Sequence, residues 1–267
     1  MVDLEAHVAP GLDDGAASRE MALEMCRQAA QTGTRELVVA VRTKLDRPFD
    51  RDELTTAVED LQRELGDSIF LHSSSVVQLT WANAPRVFQE PERYAINGLR
   101  YLPFEITGEM IARGGIGKVF RRFRDAGLLP VVARPERSGS LRSDLSRLRH
   151  WVERGCLIQV TAGSLTGVYG ERAQLASIQI VDSNLAHFVA SCGRTTGGRS
   201  PVLDEAYDMV VYRWGEEMAQ KLFIDNPWAA LWGEDVEVPR PRVRSGRAFL
   251  RMLGLSRRRK GRRRRRM

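Results

Sequence analysis

Short apolar runs alternate with longer stretches of helical periodicity over most of the chain. Residues 2–4, 37–41, 68–71, 101–104, 129–133, 157–160 and 187–190 are short and mostly apolar, the pattern of strands covered on both faces. Between them, residues 18–31, 52–65, 109–126, 143–154, 172–183 and 204–214 place apolar side chains at helical spacing. The first helix is preceded by Ser18, carries Met21, Met25 and Ala29 on one face, and meets Gly33 as a stop signal. About seven strand-then-helix repeats predict an α/β fold with a parallel sheet, closed as a barrel or doubly wound. In a barrel of this kind, functional groups gather in the loops after the strands' C-terminal ends.

Composition changes the picture mainly at the C-terminus. The 267 residues carry a formal charge of +7, but 14 basic residues and no acid lie within 239–267, leaving 27 basic and 34 acidic residues before them. Residues 1–238 therefore carry −7 ahead of a basic end, and the chain divides into a body over 1–233 and a basic linker with an Arg-rich tail over 234–267. Runs of arginine at this density are expected to be disordered. Within the tail, residues 248–255 (AFLRMLGL) form a short apolar patch. No apolar run has the roughly 18 residues of a membrane-spanning helix. The first twenty residues include Asp3, Glu5, Asp13, Asp14 and Glu20 and lack a signal-peptide core. Cys26, Cys156 and Cys192 are widely spaced and odd in number, which argues against a disulfide framework. A cytoplasmic location is expected.

Several local motifs fail on spacing. In Cys192-Gly-Arg-Thr-Thr-Gly-Gly-Arg199 the arginine falls one position beyond the Cys-x5-Arg loop of thiol phosphatases. Gly114-Gly-Ile-Gly-Lys118 lacks the phosphate-loop spacing and the strand before it. His72 sits beside Ser73, but neighbours on a strand point to opposite faces. His150 reads as a surface residue and His187 as the start of a buried strand.

Longer segments are more specific. Met1-Val-Asp-Leu-Glu-Ala-His-Val-Ala-Pro-Gly-Leu-Asp-Asp-Gly-Ala16, Val132-Ala-Arg-Pro-Glu-Arg137, Gln159-Val-Thr-Ala-Gly-Ser-Leu-Thr-Gly167, His187-Phe-Val-Ala-Ser191 and Pro201-Val-Leu-Asp-Glu-Ala-Tyr207 occur in this order. With them the body resembles PHP-superfamily tyrosine phosphatases of capsule and exopolysaccharide biosynthesis, the CpsB/CapC/YwqE type. The resemblance implies a distorted (β/α)7 barrel and, in active members, a manganese cluster held by His, Asp and Glu at strand ends. Such metals deprotonate water and neutralise phosphoryl charge.

This chain departs from that ligand pattern. The family's His-x-His is Glu5-Ala6-His7, and its Thr-Pro-His-His is Val41-Arg42-Thr43-Lys44. Its bridging Glu falls at Ser75, the His of His-Pro-Glu-Arg is Arg134, and Asp-Ala-His becomes Cys192-Gly193-Arg194. Glu5, His7 and Glu105 remain as groups able to bind metal. Arg137 and Arg199 match the arginines that contact substrate phosphate in the family, and Asp13 and Asp14 are kept.

Two readings of the arginines follow. Arg134, Arg137, Arg194 and Arg199 form a cationic pocket for phosphotyrosine or another anion, or they merely pair with acids such as Glu105, Asp13 and Asp14. At the level of function, the expectation is a degenerate, inactive homologue without a metal cofactor. It would bind a phosphotyrosine protein, a bacterial tyrosine kinase of polysaccharide export, in a regulatory role. The alternatives are an active metal-dependent phosphatase with a reduced site of Glu5, His7 and Glu105, and an adaptor whose tail binds an anionic membrane surface or, less favoured, nucleic acid.

Overall fold

Seven parallel strands run in chain order around the molecule: β1 (Val2–Ala6), β2 (Glu36–Thr43), β3 (Phe70–Leu79), β4 (Tyr101–Ile106), β5 (Leu129–Ala133), β6 (Leu157–Thr161) and β7 (Phe188–Ala190). The computed structural model describes residues 1–44, 46 and 49–242. The two edges of the sheet meet just past the strand ends, where Ala6 bridges Gly193. His7 N donates to Gly193 O (2.8 Å) and Cys192 N to Glu5 O (2.8 Å). The sheet is thus a nearly closed α/β barrel, one of the two architectures that strand-helix alternation allows and the one the resemblance implies.

The expected helices are present in order, with α3, α7, α10 and α11 as short additions the sequence pattern did not indicate: α1 (Arg19–Gln31), α2 (Arg51–Leu65), α3 (Ala84–Val87), α4 (Gly108–Arg113), α5 (Ile116–Asp125), α6 (Leu145–Val152), α7 (Ala162–Leu165), α8 (Glu171–Asp182), α9 (Asp204–Trp214), α10 (Glu216–Gln220) and α11 (Asn226–Leu231). Their starts are set by side chains that satisfy otherwise orphaned N–H groups. Ser18 caps α1 by accepting from Met21 N (3.3 Å), and Asp50 caps α2 by accepting from Asp52 N (2.9 Å). α1 buries Ala22, Leu23, Met25, Cys26 and Ala29 against the sheet, the face its periodicity marks out.

Inside the base of the barrel, Val2, Leu4, Val38, Tyr101, Val131, Leu157 and Phe188 pack together. Ala230 and Leu231 of α11 close this end. The larger apolar core lies between the strands and the surrounding helices.

Two elements differ from the sequence pattern. The strand expected over 68–71 continues to Leu79, because Ser73, Ser74 and Ser75 pair in register with Val39, Ala40 and Val41 of β2. The single helix expected over 109–126 is two, α4 and α5, because Gly114 (φ 74) and Gly115 (φ 85) both adopt backbone that leaves the helix.

Beyond Gly233 the chain continues along the base. Tyr101 Oη donates to Glu234 O, Arg100 pairs with Asp235 (2.8 Å) and Arg242 N donates to Ser183 O (2.8 Å). The apolar patch at 248–255 and the arginine run at 256–267 lie outside the described residues. Among the described residues no helix is long and apolar enough to cross a membrane.

Candidate functional site

At the C-terminal end of the strands a cavity of about 480 Å³ is lined by Asp14, Arg42, Glu105, Arg134, Arg137, Arg194 and Arg199. Each residue arrives from a strand end or the loop after it. Glu5 lies on β1, His7 just beyond it, Arg42 on β2 and Glu105 on β4. Arg134 and Arg137 follow β5, while Arg194 and Arg199 follow β7. All the arginines and metal-ligand candidates of the sequence reading are therefore brought to one end of the barrel.

The arginines divide into two groups. Arg134, almost fully buried, contacts Glu105 and lies 3.5 Å from Glu5 Oε1. Arg194, only 2% exposed, contacts Asp14 and donates from Nη2 to His7 Nε2 (3.0 Å). Arg42 donates to Asp14 Oδ2 (3.1 Å) and to Glu105 Oε1 (3.0 Å). For these three, pairing with acids describes what is seen. Asp13 pairs instead with His7 Nδ1 (2.6 Å) and accepts from Arg42 N (2.9 Å).

Arg137 and Arg199 are different. Among the described residues neither has a carboxylate within salt-bridge distance. Arg137 stacks 3.9 Å above the ring of Tyr169, and Arg199 lies 5.8 Å from the same ring. Arg199 Nε is buried without a hydrogen-bond partner. The cluster holds five guanidiniums, of Arg42, Arg134, Arg137, Arg194 and Arg199, against the carboxylates of Glu5, Asp13, Asp14 and Glu105. Positive charge is left over at Arg137 and Arg199.

Ionisation follows from this crowding. Burial alone would raise Glu5, but Arg134, His7 and Arg194 outweigh it and hold its carboxyl far below the usual range. Asp14, against the opposing effect of partial burial, is brought to about 2 by Arg194 and Arg42. Arg42 falls to about 10 through burial and the neighbouring Arg134 and Arg194, and Arg137 is lowered chiefly by burial. An anion entering beside Arg137, which has no carboxylate partner among the described residues, would favour its charged form.

The donor set does not fit a cluster of divalent metals. Glu5 Oε2 accepts from Gln159 (2.6 Å), and Oε1 faces His7 and Arg134. Both ring nitrogens of His7 are engaged, and Glu105 is held by Arg42 and Arg134. A dication about 4 Å from a guanidinium is repelled by several kcal/mol even at an effective dielectric of 20. A guanidinium also has no lone pair to offer. Ser75, where the resemblance implies a bridging glutamate, bonds Thr43 (2.5 Å).

The remaining sequence candidates fall outside this chemistry. Cys192 is fully buried, and burial pushes its thiol well above the ordinary range, away from the thiolate a nucleophile requires. Lys44 lines a separate small cavity beside Asn83 and Tyr94, so Arg42 is the basic residue of its segment that enters the site. His72 pairs with Glu36 at the opposite end of the barrel (2.7 Å). Tyr169 and Gln159 were not singled out from sequence as site residues. Gln159 opens the Gln-Val-Thr-Ala-Gly-Ser-Leu-Thr-Gly segment and Tyr169 follows it by two residues, which was the available signal.

Comparison with known proteins agrees with the barrel. The chain is 27% identical over 232 residues to the tyrosine-protein phosphatase YwqE of Bacillus subtilis, covering 83% of this chain and 88% of that protein. It is 24% identical to the tyrosine-protein phosphatase CpsB of Streptococcus pneumoniae, covering 85% and 96%. A solved structure from work on YwqE and CpsB, described as metal-dependent tyrosine phosphatases, superposes with a TM-score of 0.83 at 24% identity, over 92% of this chain and 100% of that one. The profile of the family described as "Capsular polysaccharide synthesis, CpsB/CapC" matches residues 1–232. The chain belongs to the CpsB/CapC family of capsular polysaccharide synthesis.

Proposed function

We propose that this chain binds phosphotyrosine without hydrolysing it, as a regulatory relative of the family's phosphatases. The observation that carries the reading is the division among the arginines. Arg134, Arg194 and Arg42 occupy the oxygens a metal would need, while Arg137 and Arg199 stand free on Tyr169. Planar guanidiniums give a phosphate dianion paired, charge-assisted hydrogen bonds. Tyr169 carries the Arg137 guanidinium over its ring beside the cavity. In the cell, the partner would be a phosphotyrosine protein of the same pathway, a membrane-associated bacterial tyrosine kinase, met from the cytoplasm.

The test combines two measurements. A phosphotyrosine peptide titrated against the wild type and Arg137→Ala should bind the variant about tenfold or more weakly, since a charged hydrogen bond contributes roughly 1.5–3 kcal/mol. Equal, weak binding by both proteins overturns the pocket. Protein purified in manganese should carry no stoichiometric metal and should not turn over p-nitrophenyl phosphate. Stoichiometric manganese with turnover lost in His7→Ala would establish instead the reduced phosphatase site of Glu5, His7 and Glu105.

A second reading concerns the other end of the barrel. Phe70, Leu99, Trp228 and Trp232 are exposed there, with the two indoles 5.9 Å apart and Trp232 edge-on to His72. The chain reaches Arg242 at this same end before its basic tail. Exposed tryptophans in a chain whose sequence also carries an arginine run suit the interface of an anionic bilayer, at roughly 1 kcal/mol for each basic residue near the surface. Full-length protein should co-sediment with phosphatidylserine vesicles and protein ending at residue 242 should not. Retention by DNA but not by vesicles would assign the tail to nucleic acid.

A further inference from the structure

Behind Arg199 lies a second cleft of about 200 Å³, lined among others by Gly163, Val168, Tyr169, Val202 and Glu205. Among the described residues Arg199 is the one side chain that lines both this cleft and the cationic cavity. We propose that the cleft receives an uncharged, apolar side chain two residues away from the phosphotyrosine of a bound peptide, and so sets peptide specificity. This rests on the phosphotyrosine reading above and extends it from the phosphate to the flanking sequence.

The geometry supports one continuous peptide site. The wall between the two cavities is fixed. Arg194 N and Thr195 N both donate to Arg199 O (2.7 and 3.2 Å), and Ser200 N donates to Gly197 O (2.9 Å). Gly193 lets this loop close down, since a Cβ there would lie 2.6 Å from Pro201 Cα. Tyr169 is fixed as well. Gly163 admits its ring, with only 2.8 Å between the ring edge and the position a Cβ would take. The ring carries Arg137 at 3.9 Å while Tyr169 also lines the cleft. A phosphate held between Arg137 and Arg199 therefore sits beside the opening of the second cleft.

An extended peptide places alternate side chains on one side, about 6.6 Å apart. With phosphotyrosine in the first cavity, the side chain at position −2 or +2 faces the second. That cleft offers Val168, Val202, the Tyr169 ring and glycine backbone, which reward apolar area. Glu205, exposed at the rim, disfavours an acidic side chain.

The experiment measures fluorescence polarisation of glycine-background pentapeptides centred on phosphotyrosine, with Leu, Gly or Glu at −2 or +2, beside competition by phenyl phosphate. The wild type should prefer a Leu peptide over its Glu counterpart by about tenfold. Val168→Glu alters an exposed position on the cleft rim, and it should abolish that preference while phenyl phosphate competes as in the wild type. If phenyl phosphate and all peptides bind but Leu, Gly and Glu are equivalent, the cleft proposal fails and the phosphotyrosine reading stands. A Leu preference that persists unchanged in Val168→Glu also overturns the cleft. If neither phenyl phosphate nor any peptide binds, both readings fail together.

Discussion

Arg134 sits at the end of β5 in left-handed backbone (φ 56, ψ 43), a conformation unfavourable for a long side chain and kept here by its surroundings. Its guanidinium lies between Glu5 and Glu105. Removing one partner of a buried ion pair leaves uncompensated charge, at a cost of about 3–5 kcal/mol. Arg134→Met should therefore lower the unfolding free energy in urea by that order, whereas Arg137→Ala, which breaks no ion pair, should change it by less than about 1 kcal/mol. Similar losses in both variants would mean that the two groups of arginines do the same work.

Asp3 offers a pH test that leaves the arginines aside. It accepts from Ser191 N (3.0 Å) and Glu5 N (3.2 Å), and burial pushes it up to about 7, although those hydrogen bonds oppose the rise. The folded protein then binds a proton more tightly than the unfolded chain, so Asp3 removes stability as pH rises from about 4 to about 7. His187, lowered by burial to about 4, acts in the opposite sense between there and about 6.5, but cancels in a difference between proteins. Relative to wild type, Asp3→Asn should gain stability from pH 5 to 7 by roughly 1.4 kcal/mol per pH unit and then level off. A difference that does not vary with pH would show that Asp3 is ionised throughout.

At this scale the sequence exposed residue identities better than pairings. Arg134 and Arg194 are visible in the chain itself, at places where the resemblance implies imidazoles. Whether an arginine faces an acid or an open cavity depends on loop paths, so Arg194 and Arg199, five positions apart on one loop, could not be told apart beforehand. Tyr169 escaped notice because a single tyrosine in a glycine-flanked turn has no periodicity to mark it.

Among the elements, the loop from Pro10 to Ala16 shows how backbone delivers charge. Gly15 lies against His7, where a Cβ would stand 2.0 Å from the His7 carbonyl oxygen. That contact lets Ala16 N donate back to His7 O (3.0 Å) and Gly15 N donate to Asp13 Oδ1 (2.9 Å). Gly15→Ala must shift the loop carrying Asp13 and Asp14, the partners of His7 and Arg194. It should lower the melting temperature and weaken phosphotyrosine binding together, as thermal unfolding and titration of one preparation would show. Normal behaviour in both would mean that the loop absorbs the methyl group without moving its acids. The start of α1 was legible through Ser18, whereas the Asp50 cap of α2 emerged only from the structure. The break between α4 and α5 was not legible, because apolar spacing continues on both sides of two glycines whose positive φ appears only in three dimensions.

For the whole molecule, strand-helix alternation indicated a parallel sheet, closed as a barrel or doubly wound, and the family resemblance selected the barrel and its strands' C-terminal ends. Its closure was less visible, because it rests on one bridge between Ala6 and Gly193 and on backbone bonds just past the strands. Closure brings β1 beside the loop after β7, and so Arg194 onto His7 and Asp14. The cationic cavity and the exposed aromatic residues occupy opposite ends of the barrel. Attachment through the base would leave the cavity open to a protein partner.

The most direct measurement is anomalous diffraction from crystals grown with excess manganese and inorganic phosphate. The account predicts no manganese peak among Glu5, His7 and Glu105, and a phosphate held by Arg137 and Arg199. Two or three manganese ions around His7, with Arg134 and Arg194 swung out toward solvent, would contradict it.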